Sequence, residues 1–99
     1  MSERKVLVAE IVALPGCEDR LAVLLTELAE RVRSEAGNVL FEPATVERDP
    51  LRFLVYEQYR DEDAFTSHLA AAHTVEFNSI LVTLAENGRS ELTGLSPLA

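Results

Sequence analysis

The chain has no tryptophan, a single cysteine, four glycines and four prolines in 99 residues. One cysteine cannot close an intramolecular disulfide, and the thiol pairs of a zinc or redox motif are missing. Cys17 follows Gly16 near a helix start, but no histidine stands near it in sequence to activate it, and its place is that of a small apolar filler. Gly16, Gly37, Gly88 and Gly94 occur singly, which excludes a phosphate-cradling loop. Basic residues are also scarce: nine Lys and Arg against seventeen Asp and Glu, a formal charge of −8. That field repels phosphate backbones and anionic lipid, and no basic stripe offsets it, so no nucleic acid and no membrane are expected as partners. No run approaches the ~20 apolar residues of a membrane span. The opening MSERKVLVAEIVALPG has an acidic residue inside its apolar stretch and no small-residue cleavage pattern. A cytoplasmic location is expected. Residues 1–99, with 47% hydrophobic content, suit one domain, since so short a chain has no room for two cores.

What is present is periodicity. Val6 to Ala13 is apolar on both faces apart from Glu10, the pattern of a central strand stopped by Pro15 and Gly16. Leu21, Leu24, Leu25, Leu28 and Val32 then recur at helical spacing, and Gly37 is expected as the C′ residue closing that helix. Asn38 to Glu47 reads as a strand, but Pro43 cannot donate to a central ladder, so this strand belongs at an edge. Asp49 and Pro50 read as the turn into a third strand, Leu51 to Arg60. Asp61 offers an N-cap, with Glu62 and Asp63 in the first turn of a helix running to Ala72. Thr74 can cap a further helical stretch through Phe77, Ile80, Leu81 and Leu84, ended by Asn87 and Gly88, before a short strand from Ser90 to Leu95.

The order βαββαβ is that of an α+β, ferredoxin-like fold, with a four-stranded antiparallel sheet and both helices on one face. The opposite face presents Leu54 and Tyr56 beside an apolar first strand, a surface too greasy to leave in water. A second copy of the sheet is its simplest cover, which predicts a homodimer.

Phe53, Val55, Glu57 and Tyr59 alternate onto one strand face, while Ala64, Phe65, His68, Leu69 and Ala72 share one helix face. A carboxylate, a phenol, an aromatic ring and an imidazole are thus expected to converge between sheet and helix. An imidazole titrates near pH ~6.5 and can take a proton at neutral pH, so His68 is the candidate base, with Glu57 orienting its ring. Phe53, Val55, Tyr59 and Phe65 would form a slot that excludes water and stacks on a flat ring. Spacing alone favours instead a core histidine tying helix to sheet. His73, five residues beyond His68, cannot share its helical face and is expected near the pocket mouth. A metal site from His68, His73 and Glu57 would need a break at Ala72 to Thr74, and no metal is expected. Glu10 could be a second acid in the site, though a sheet-end or dimer-rim position suits it better.

The segments LPGCEDRL, SEAGN, RFLVYEQYRDEDAFTSHL and AHTVEF resemble the antibiotic biosynthesis monooxygenase family of dimeric α/β-barrel proteins, over roughly Val6 to Leu95. Tyr56–Glu57 followed by Asp61, Ala64, Phe65 and His68 carries most of the likeness. The resemblance implies a pocket between each sheet and its own helices. It also implies oxygenation of a phenolic or quinol-like small aromatic substrate by dioxygen, without flavin, haem or metal as cofactor. The family is functionally mixed, so a non-catalytic small-molecule-binding or stress-related barrel and a small-molecule isomerase stand beside that reading. Its haem-degrading branch uses a first-strand asparagine and a second-helix tryptophan. This chain has Ile11 near the first position and His68 at the second, which speaks against haem degradation.

Overall fold

Alternation places strands and 3.6-residue spacing places helices along most of the chain, of which the computed structural model describes residues 3–99. Met1 and Ser2, the start of the stretch read for a leader, lie outside the described residues. The elements run β1 (Lys5–Val12), α1 (Glu18–Arg33), β2 (Asn38–Val46), β3 (Asp49–Tyr59), α2 (Glu62–Ala70), α3 (Ala72–Leu81), a 3₁₀ turn at Glu86–Gly88, and β4 (Glu91–Leu95). The sheet order is β2-β3-β1-β4, every neighbouring pair antiparallel. This is the ferredoxin-like arrangement, with Pro43 on an edge strand as its missing N–H requires.

The register sets the two faces. Leu7 lies opposite Glu57, Ala9 opposite Val55 and Ile11 opposite Phe53, so these six point the same way, toward the helices. Leu21, Leu25, Leu28 and Val32 of α1 close over them, and the resulting core also holds Phe41, Tyr59, Phe65, Phe77 and Leu81. Among the described residues no helix is long and apolar enough to cross a membrane.

Four local expectations are corrected. The α1 helix is capped at Ser34, and Gly37 lies three residues further on without a left-handed φ. Glycine is required there by close approach instead: a methyl group at Gly37 would stand 2.4 Å from Ala64 Cβ, at the start of α2. The β2–β3 turn is Glu47–Arg48, leaving Asp49 and Pro50 inside β3. The second helix ends at Ala70, because Ala71 is extended (φ −64°, ψ 141°) and starts α3 without a side-chain cap from Thr74. Leu69 and Ala72 are consequently exposed and only Ala64, Phe65 and His68 of that stripe are buried. Finally, α3 stops at Leu81, while Asn87 and Gly88 take positive φ in the later 3₁₀ turn.

Candidate functional site

Asp61 accepts a hydrogen bond from the Ala64 amide at 2.8 Å, which satisfies one of the free N–H groups at the start of α2. The helix so anchored turns Phe65 and His68 onto the sheet, above Glu57 and Tyr59. Glu57, His68 and Thr74 are all buried, at 5%, 6% and 4% exposure. Burying such groups without partners costs several kcal/mol, and among the described residues no buried side-chain nitrogen or oxygen lacks one. The Tyr59 hydroxyl donates to Glu57 Oε1 at 2.7 Å. His68 Nε2 lies 3.9 Å from the same oxygen, adjacent but beyond direct hydrogen-bond reach.

What holds the imidazole is Glu35. Its carboxylate lies 2.9 Å from His68 Nδ1 and 2.5 Å from His73 Nε2. A carboxylate only accepts, so both nitrogens facing it carry hydrogens and the neutral His68 ring keeps its lone pair on Nε2, toward Glu57. Glu35 sits in the α1–β2 loop. Its own N–H donates to Val32, Asn38 N–H donates to its carbonyl, and Arg33 donates twice to the Phe41 carbonyl across the loop. Orientation of His68 thus falls to Glu35, which sequence reasoning passed over although it lies in the SEAGN segment, and not to Glu57. The break at Ala71 brings His73 to the same carboxylate.

Burial pushes the Glu57 carboxyl up to about 7, the Glu35 charge adding to the rise and the Tyr59 hydrogen bond opposing it. Burial, then the adjacent Glu57, likewise raises Tyr59 well above a free phenol. A carboxyl titrating near neutrality can take or give a proton at working pH.

A cavity of about 80 Å³ opens beside these groups, lined by Val55, Glu57, Phe65 and His68 and by the more exposed Leu69 and Leu92. Ring centroids of Tyr59, Phe65 and Phe41 lie 4.9, 6.1 and 6.3 Å from that of His68, so the imidazole stands in an aromatic box. Of the residues expected to line the pocket, Val55 and Phe65 do. Tyr59 is fully buried behind Glu57. Phe53 faces a separate dent beside Pro43, and His73 faces a groove between α1 and α3. Glu10 lies on the opposite sheet face, paired with Arg52 at 2.7 Å, and takes no part.

A ferredoxin-like sheet with a buried carboxyl–imidazole pair under its helices defines a class of small α+β proteins with a pocket between sheet and helices. Residues 5–79 match the family model for antibiotic biosynthesis monooxygenase, and the chain belongs to that family. It is similar over its whole length to the PA3566 protein from Pseudomonas aeruginosa, with 29% identity, 98% of that chain covered and a TM-score of 0.91. The Rv0793 protein from Mycobacterium tuberculosis shares the fold at 20% identity and TM-score 0.90, covering 98% of this chain and 97% of that one. A structure described as an antibiotic biosynthesis monooxygenase does so at 19% identity and TM-score 0.88, covering 96% and 99%. Among curated proteins none matches significantly.

Proposed function

We propose that the chain is a cofactor-independent monooxygenase of a phenolic or quinol-like small molecule. The observation that carries this reading is His68, its Nδ1 held by Glu35 and its Nε2 turned to Glu57 beside the apolar cavity. The imidazole takes the substrate's phenolic proton through Nε2. The phenolate gives one electron to dioxygen, and the two radicals combine at ring carbon. The peroxide then loses water, so that a phenol with a free ring C–H and one O₂ become a quinone and one H₂O. All four electrons come from the substrate, and no external reductant is needed. Glu57, poised near neutrality, returns a proton to the departing oxygen.

The cavity lies below the ~300 Å³ of drug-sized ligand sites, so a ring enters only as Leu69 and Leu92 swing outward. Oxygen uptake with a hydroquinone and phenol panel, in chelator-treated buffer, tests the reading. Uptake matched by quinone formation is expected. Saturable binding of the same compounds without uptake would favour a non-catalytic binding protein, a reading that the hydrogen bonds of Glu35 to His68 and His73 and of Tyr59 to Glu57, which tie helices to sheet, support.

The sheet face away from the helices supports the homodimer. Tyr56 and Leu95 are 39% and 42% exposed there, beside half-buried Val8 and Leu54, and among the described residues no helix packs on it. Sedimentation at micromolar concentration is expected to give twice the chain mass, and Leu54→Asp or Tyr56→Asp to shift it toward monomer, because a buried unpaired charge costs several kcal/mol. A folded, monodisperse wild-type monomer would refute the sheet-to-sheet cover.

A further inference from the structure

Glu35, His68 and His73 present one carboxylate and two imidazole nitrogens whose donor atoms all lie within 4.8 Å of one another. They come from three separate elements, the α1–β2 loop, α2 and α3, and the extended Ala71 is what turns the second imidazole toward the first. Two imidazoles and one carboxylate make the donor set of three-ligand zinc sites and of non-haem iron sites. One oxygen, Glu35 Oε2, receives both ring nitrogens, at 2.5 and 2.9 Å. Donors around a zinc-sized ion at ~2.1 Å stand roughly 3.3 Å apart. The carboxylate therefore has to withdraw by roughly 0.4 Å from His68 and 0.8 Å from His73, which a loop side chain 16% exposed can do, while the two ring nitrogens, within 4.8 Å of one another, close onto the ion. Thr74 Oγ1, 3.4 Å from His68 Nδ1, is placed to hydrogen-bond a water in the fourth position. Glu57 stands 3.9 Å from the far nitrogen of His68, and a closing shift of roughly 1 Å would make it the acidic partner that metal-bound histidines usually have.

From this geometry we infer that Glu35, His68 and His73 bind one divalent transition-metal ion of the zinc type. This departs from the sequence-based expectation of no metal, which considered Glu57 where the structure brings Glu35. Binding moves protons within the rings. An ion on His68 Nδ1 sends that ring's proton to Nε2, where it points at Glu57, and the lone pair facing the cavity is lost. Where His68 is the base of the proposed oxygenation, occupation of the site switches turnover off; that consequence rests on the functional reading, whereas the binding does not.

Chelator-treated full-length protein titrated with Co²⁺ tests both. One ion per chain is expected, with a visible absorption band of nitrogen and oxygen ligation that Zn²⁺ displaces. His73→Ala and Glu35→Gln, each checked for a native circular dichroism spectrum, should weaken uptake by at least ~10–100-fold. Failure of wild type to take up a stoichiometric ion would overturn the site, as would undiminished uptake in both variants; wild type alone decides if either variant does not fold. Saturating Zn²⁺ should abolish oxygen uptake reversibly. Stoichiometric binding without that loss would uphold the site and count against His68 as the base.

Discussion

His68→Ala should lower oxygen-dependent turnover by about 10²–10⁴-fold, the usual contribution of a positioned general base, while the fold persists. Nε2 is the only imidazole nitrogen facing the cavity, since Nδ1 is taken by Glu35 and His73 lies beyond that carboxylate. A purely structural tie predicts a different pattern. Removing the ring would then leave Glu35 short of one partner and cost roughly 1–3 kcal/mol of stability, with turnover per folded molecule unchanged. Steady-state oxygen uptake together with urea unfolding of the same preparation separates the two.

The second large effect is on stability against pH. Glu57 moves from 4.5 when unfolded to about 7 when folded, so the folded chain holds its proton more tightly. Such a carboxyl favours folding fully below pH ~4.5, loses its contribution as pH rises to ~7, and changes nothing further above that. At 1.36 kcal/mol per unit the loss is about 3 kcal/mol. Glu57→Gln keeps an acceptor for the Tyr59 hydroxyl and cannot titrate. The unfolding free energy of wild type minus that of the variant should therefore fall by about 3 kcal/mol between roughly pH 4.5 and pH 8. A difference that stays level with pH would mean that Glu57 titrates as an ordinary surface acid.

The fold was legible because its periods are clean: alternate residues of β1 and β3 and the 3.6-residue stripe of α1 leave one topology, and Pro43 assigns the edge. The same periods place His68 and Glu57 on facing sides. Glu35 was not legible. It is one of seventeen acidic residues, it lies in a loop where no period fixes a side chain's direction, and its partners are 33 and 38 positions away. His73 was legible in part. Its spacing from His68 implies a break near Ala72 and a place at the entry to the next helix, where it stands, but the break falls at Ala71, an alanine flanked by alanines, and nothing in the spacing points to Glu35 as the partner it meets there. Gly37 was read as a helix stop because its use, contact with Ala64, is a tertiary matter.

On the proposed function, substrate entry has a timescale set by how α2 is moored. Nine residues are too few to persist as an isolated helix, and this one is fastened by the Asp61 cap at its start and by the His68–Glu35 contact near its end. Moving it as a lid would break both fastenings. Leu69 and Leu92, 43% and 50% exposed, can instead rotate about their own side-chain bonds, which takes picoseconds to nanoseconds where segment closure takes microseconds or longer. Opening is then far faster than any ordinary turnover. Solvent viscosity should leave the rate almost unchanged, and replacing the transferred phenolic hydrogen by deuterium should slow it, wherever proton removal limits the cycle.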